Sequence, residues 1–172
     1  FVLFTSFRML NKAFDRLAEP LAEYGCLRQG DKDRYDLLED FRKHPSSVLF
    51  GTTSFWQGVD VRGESLKSVI IAKLPFAVPD DPITEARIDL IRQKGGNPFR
   101  EYQVPRAIIM LRQGFGGLMR HKEDYGIVAI LDPRLRTRNY GKDIFASLPS
   151  CRVTSRLDQL AKFLKEVSGG RQ

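Results

Sequence analysis

Cysteine is scarce: Cys26 and Cys151 are the only two in 172 residues, too few and too far apart for a disulfide framework or a zinc site. Both are expected to behave as ordinary small core residues, as suits a reducing, cytoplasmic compartment. Long apolar runs are also missing. None approaches the roughly 18 to 20 residues that a membrane span requires, and the opening Phe1-Val2-Leu3-Phe4-Thr5 has no basic region in front of its apolar stretch, as a secretory leader would. A soluble chain with no membrane partner is expected. Internal repeats, low-complexity tracts and a recognisable domain linker are absent too, which leaves one domain spanning residues 1–172. An initial Met is lacking, and the chain starts directly in an apolar run, so a segment preceding Phe1 in a longer polypeptide is expected. What the chain does have is enough apolar content, 42% hydrophobic residues, for a single α/β core. It also has 28 Lys and Arg against 21 Asp and Glu, a formal charge of +7. That surplus favours a polyanionic partner such as nucleic acid, although charge alone does not define one.

Short β-rich runs alternate with stretches of helical periodicity, the pattern of βαβ units around a parallel sheet. Phe1 to Thr5 reads as a buried strand. Ser6 caps a helix that carries Met9, Leu10, Phe14, Leu17 and Leu21 on one face and ends near Gly25. Cys26-Leu27 reads as a short strand, Asp33 opens a second helix that closes before Pro45, and Ser47 to Gly51 is the next strand. Val69 to Ala72 follows as a core strand. The three prolines between Leu74 and Pro82 then enforce a stiff loop. Ile83 to Lys94 is expected to be helical and to stop at Gly95-Gly96, and Pro105 is expected to begin a helix through Met119 as its first residue. Gly126 to Leu131 is a strand, followed after Asp132-Pro133 by a basic turn. A short helix from Tyr140, a strand at Arg152-Val153-Thr154 and an amphipathic helix from Arg156 to Val167 complete the reading.

In an open parallel sheet, ligands gather where loops leave the carboxyl ends of the strands. Three segments occupy or adjoin such places. Thr5-Ser6-Phe7 offers hydroxyls and helix N-terminal amides to a phosphate, or simply caps a helix. Gly51 to Asp60 joins Thr52, Thr53 and Ser54 to two aromatics, a glycine and a carboxylate. Such a loop can grip a nucleic-acid backbone and sense nucleotide; alternatively, Phe55 and Trp56 pack in the core while Thr52 to Ser54 form a turn. In Gln113 to Arg120 the glycines lie within a helical stretch that precedes a strand, the wrong order for a dinucleotide-binding turn. An arginine projecting from such a helix can instead reach a phosphate held by a neighbouring domain.

These segments, in this order and spacing, resemble motifs IV, V and VI of superfamily 2 helicases of the DinG/XPD branch. Val2-Leu3-Phe4-Thr5-Ser6 is similar to motif IV, and Ser54-Phe55-Trp56-Gln57-Gly58-Val59-Asp60 to motif V. Lys73-Leu74-Pro75-Phe76-Ala77-Val78-Pro79 follows as in DinG-like chains. Gln113-x-x-Gly116-x-x-x-Arg120 resembles motif VI, and Asn139-Tyr140-Gly141-Lys142 with Ser147-Leu148-Pro149 resembles the closing segment. The likeness runs over nearly the whole chain. It implies a RecA-like α/β fold of the P-loop NTPase type, a parallel sheet flanked by helices, acting as the second motor domain of an ATP-dependent DNA helicase of 5′ to 3′ polarity in DNA repair or replication.

In such helicases two RecA-like domains clamp one ATP. The first supplies the phosphate loop and the acidic motif that holds Mg2+, and neither a Gly-x-x-x-x-Gly-Lys-[Ser/Thr] stretch nor a DEAH-like one occurs here. The resemblance thus implies the N-terminal motor domain of the same polypeptide as a partner, with or without an iron–sulfur cluster of its own. Arg120 would be the arginine finger, and Gln113, Gly116 and Gly117 would belong to the nucleotide-facing helix. Gly58 and Asp60 would couple nucleotide state to the motif V loop, while Thr5, Ser6, Thr52 and Ser54 would hold phosphates of single-stranded DNA. Two positions depart from the pattern: Gln57 replaces the usual Glu, and Gly117 stands where the first motif VI arginine is expected, with Arg112 and Lys122 as nearby substitutes. Two other readings stay open on the sequence. One is a catalytically weakened helicase-like module that binds DNA or docks a partner; the other is a Rossmann-like small-molecule enzyme, which the glycine order disfavours.

Overall fold

The computed structural model describes residues 1–56, 66–77, 81–118 and 125–169. Five strands form one parallel sheet: β1 (Val2–Phe4), β2 (Cys26–Arg28), β3 (Val48–Thr52), β4 (Ser68–Ile71) and β5 (Ile127–Ile130), in the order β2-β3-β1-β4-β5. β1 sits at the centre, with Leu3 opposite Gly51 on one side and Ile71 on the other.

Strand alternation divides the core in two. Phe4 and Phe50 point to the face covered by α1 (Phe7–Leu17), where Leu10 is fully buried among them. Leu3, Leu49, Val69 and Ile71 point the other way, into the larger cluster. That cluster also receives Leu37, Leu38 and Phe41 from α2 (Arg34–Lys43), Leu111 from α5 (Val104–Leu118) and Ile144 from α7 (Tyr140–Ser147). This is the division that right-handed crossovers impose: the chain leaves β1 in one direction and returns from β2 in the other, so their helices fall on opposite faces.

Local chemistry sets most boundaries. Asp33 caps α2 by accepting the Asp36 amide at 3.0 Å, and Asp81 caps α4 (Pro82–Gln93) by accepting that of Thr84 at 2.9 Å, with Pro82 inside the first turn. At the far end of α4, Gly95 takes φ +75° while its amide returns to Arg92 and that of Gly96 to Ile91, a Schellman closure.

Four expectations need correction. α1 ends at Leu17 instead of running to Gly25, because Pro20 cannot continue a helix; a turn and a 3₁₀ segment, Ala22–Tyr24, follow. Pro105 is not the first helical residue. A π turn, Phe99–Gln103, runs straight into α5, and the Val104 amide reaches back to the Phe99 carbonyl, directly before the proline that has no N–H to offer. Arg152 to Thr154 form no strand. The Thr154 hydroxyl instead accepts the Arg156 amide at 3.1 Å, at the entrance to α8 (Leu157–Gly169). Cys151 is exposed, and Cys26 is half-buried. No helix among the described residues is long and apolar enough to cross a membrane.

Candidate functional site

Because all five strands run in parallel, every strand exit lies on one edge of the sheet. Thr5 and Ser6 leave β1 there; Thr52 and Thr53 end β3 and begin the short α3 (Thr53–Trp56); Ala72 and Lys73 leave β4; Leu131 and Asp132 leave β5. Thr5 and Ser6 are exposed. The Ser6 Oγ accepts the Met9 amide at 3.4 Å, so this serine does cap α1.

Thr52 differs from the expectation of an outward hydroxyl. It is 5% exposed, and its N–H and Oγ1 both donate to the Gln29 Oε1, at 2.7 and 3.0 Å. The β2 exit thereby holds the start of the loop that follows β3. Phe55 is buried in the main core, the packing alternative for this aromatic. The Arg34 guanidinium lies 5.4 Å from its ring centroid and donates to its carbonyl at 3.0 Å. Ser54 belongs to α3 by its backbone, but its side chain lies outside the described residues, as do Gly58 and Asp60.

Gln113 and Gly116 are exposed on α5. A cavity of about 20 Å³, room for roughly one water, lies between Gln113, Thr53, Leu3, Ile71 and Pro75. The structure thus brings the helix of the third segment against the exits of β1, β3 and β4. Nothing stands within 4 Å of a Cβ built on Gly116, which leaves open space beside the helix. Gly117 lies in α5 by its backbone, whereas Arg120 lies outside the described residues.

The sequence reading missed the most heavily bonded group at this edge. Asp132 is 5% exposed. Its carboxylate accepts the Leu74 amide at 2.9 Å, the Arg134 amide at 3.0 Å, and the Arg134 guanidinium at 2.6 to 3.0 Å. Hydrogen bonds from Arg134 dominate and outweigh burial, so its pKa falls to about 2. Arg134 also lies 5.3 Å from the ring centroid of Phe76, and the Gln103 Nε2 donates to the Ala77 carbonyl at 2.6 Å. Residues 74–77, after β4, are therefore pinned from several sides. An Asp-Pro pair directly after a strand was the one available signal. Among the described residues no cluster of His, Cys, Asp or Glu can hold a metal ion.

Residues 1–151 match the family described as the helicase C-terminal domain. The chain is 46% identical over 165 residues to the ATP-dependent DNA helicase YoaA of Haemophilus influenzae, covering 96% of this chain and 26% of that protein. It is 40% identical over 166 residues to the ATP-dependent helicase DinG of Mycobacterium tuberculosis, covering 96% of this chain and 25% of that one. It thus spans about a quarter of the length of these relatives. Among solved structures, one titled XPD_Helicase matches 88% of this chain and 28% of its own at a TM-score of 0.63 and 16% identity. Another, XPD_APO, matches 88% and 31% at 0.65 and 19%; at such identities the likeness carries the fold alone. The chain belongs to the helicase C-terminal domain family, whose model it matches over residues 1–151.

Proposed function

We propose that this chain is the second motor domain of a 5′ to 3′ DNA helicase and forms the trans side of an ATP site whose phosphate loop and magnesium ligands lie on an N-terminal domain of the same polypeptide. The observation that carries the reading is the convergence of Thr5, Ser6, Thr53 and Gln113 on one sheet edge, in a chain whose relatives are named ATP-dependent helicases. The open space beside Gly116 and the exposed Gln113 amide fit the approach of a nucleotide from a facing domain.

ATP, bound chiefly by that first domain, supplies the phosphoryl transfer. Here Arg120 places a guanidinium against the developing phosphate charge, an effect worth about 10³ to 10⁵ in rate in comparable nucleotide hydrolases. Gln113, Gly116 and Gly117 shape the helix that presents it, and Gly58 and Asp60 couple that helix to the loop after β3. Thr5, Ser6 and Ser54 donate to phosphates of single-stranded DNA, while Thr52, turned inward to Gln29, braces the loop from below. Such contacts carry no base information, so binding is sequence-independent and weakens with salt. On this reading the isolated chain hydrolyses little ATP.

The test is ATP turnover by the full-length protein with and without single-stranded DNA. Arg120→Ala is expected to abolish DNA-stimulated turnover and largely spare DNA binding; unchanged turnover rules out the role of Arg120. Gly117 supports a second reading, a weakened motor, which Gly117→Arg tests: a large gain in rate favours impairment, and no gain favours native competence.

A further inference from the structure

The run from Arg134 to Lys142 carries four cations, and they divide sharply. Arg134 is bound to Asp132, but Arg136, Arg138 and Lys142 are exposed, and among the described residues no carboxylate lies within ion-pair distance of any of them. Elsewhere on the surface some arginines find carboxylates, Arg28 with Asp31, Arg42 with Glu39, Arg92 with Asp89 and Arg156 with Asp158, while Arg8, Arg16, Arg100 and Arg112 stand without one among the described residues. What sets this turn apart is that three such cations fall between positions 136 and 142. The one carboxylate in the stretch after Arg134 is Asp143, so positive charge prevails there.

The backbone beneath these three cations is held firmly. α6 (Arg134–Thr137) and α7 meet at Gly141, where a Cβ would lie 1.9 Å from the Leu135 carbonyl oxygen. No other residue type permits that approach, and the Gly141 amide closes the turn on the Arg138 carbonyl at 2.9 Å. Leu135 and Ile144 anchor the two helices in the main core. Tyr140 packs edge-on against Phe76 and Phe99, with centroids at 5.4 and 5.1 Å, and Asp132 fixes Arg134 at the start of α6. A fixed backbone that projects unpaired guanidinium and ammonium groups limits the ordering entropy lost when a polyanion binds, and guanidinium groups match phosphate oxygens in pairs.

The turn begins at the exit of β5, on the same sheet edge as Thr5 and Ser6. We propose that Arg136, Arg138 and Lys142 form a second nucleic-acid contact, in which each cation neutralises a phosphate of the single strand that the strand-exit hydroxyls hold. This rests on the DNA-motor reading and adds a site to it.

The experiment is equilibrium binding of a fluorescent oligothymidylate to the full-length protein across a salt series. Replacing all three cations by Gln should make the slope of log K against log salt shallower by about 2, since each single-strand phosphate contact contributes about 0.7. A triple of equal charge loss at Arg152, Lys162 and Lys165 should leave the slope unchanged, and Arg138→Lys should retain it. Gly141→Ala, which keeps every charge but disrupts the turn, should weaken binding at least tenfold. If that variant fails to fold, the Gln triple still decides. An unchanged slope in the Gln triple, or equal losses in both triples, overturns the second contact and leaves the motor reading standing. A wild-type protein that binds no single-stranded DNA overturns both.

Discussion

Replacing Asp132 by Asn keeps the shape of the side chain and removes its charge, so it isolates what the carboxylate contributes. The native pKa of about 2 lies below the ordinary value of 3.8, a difference worth about 2 kcal/mol at pH 7. Hydrogen bonds to charged groups are worth about 1.5 to 3 kcal/mol each, and Arg134, whose side chain is 41% exposed, regains water when its partner is neutralised. Both routes lead to a loss of about 2 kcal/mol. The sign of the pH dependence follows from the direction of the shift. A depressed carboxylate stabilises the fold above its unfolded pKa and loses that contribution as pH falls toward the folded value, so the gap between wild type and Asp132→Asn should narrow to roughly half by pH 3. Urea unfolding of both proteins at pH 7, 4 and 3 measures it. A gap below about 0.5 kcal/mol at pH 7, or one that does not change with pH, would refute the ion-pair account.

Two further substitutions test the packing. Phe50 is fully buried, stacked on Phe4 at 6.3 Å and edge-on to Phe14 at 5.4 Å, so Phe50→Ala should cost about 3 to 5 kcal/mol in denaturant unfolding; a cost under 1.5 would mean the cluster beneath α1 collapses onto the gap. Gly95 has φ +75° but nothing within 4 Å of a built Cβ, so Gly95→Ala should cost only about 1 kcal/mol, from backbone conformation alone. A thermal melt that is unchanged, or one shifted as far as that of Phe50→Ala, contradicts this.

Much of the fold could be read in advance because chain punctuation and periodicity agree. Asp33 and Gly95 mark helix ends that the structure keeps, and the apolar runs at Val48 to Gly51 and Val69 to Ile71 become neighbours of β1. α1 shows where that agreement fails. Leu21 continues the apolar series of Met9, Leu10, Phe14 and Leu17, and it does pack in the cluster beneath α1, but it reaches that cluster from a turn, since Pro20 has already stopped the helix. Periodicity reported the burial of Leu21 correctly and its backbone wrongly, whereas Leu17, in the same series, is exposed. Arg152 to Thr154 failed for the opposite reason, because a β-prone triplet without a neighbouring strand gains nothing from extension, while the threonine hydroxyl has a helix start to serve.

The strand-exit position of the candidate loops was legible, and the orientation of their side chains less so. Alternation along β3 already puts Thr52 on the same face as Phe50, beneath α1 and not out toward a ligand, so parity alone argues for the inward hydroxyl that Gln29 accepts. No local pattern foretells that Asp132 bonds to Leu74, 58 positions away, because that contact exists only once β4 and β5 lie side by side. Strand order also rearranges the segments themselves. Along the chain the exits of β1, β3, β4 and β5 follow one another, whereas across the sheet that of β3 comes first, then those of β1, β4 and β5. At about 4.8 Å per strand, three spacings separate the β3 and β5 exits, roughly 14 Å. On the proposed reading a single strand crossing that edge meets the loop after β3, then Thr5 and Ser6, then Lys73, and last the basic turn. Uncharged donors and the single cation Lys73 thus serve the middle of the path, and three cations without an ion pair among the described residues, on a turn held by Gly141 and Asp132, serve its outer end. The salt dependence of binding should therefore arise mainly at the end farthest from β2.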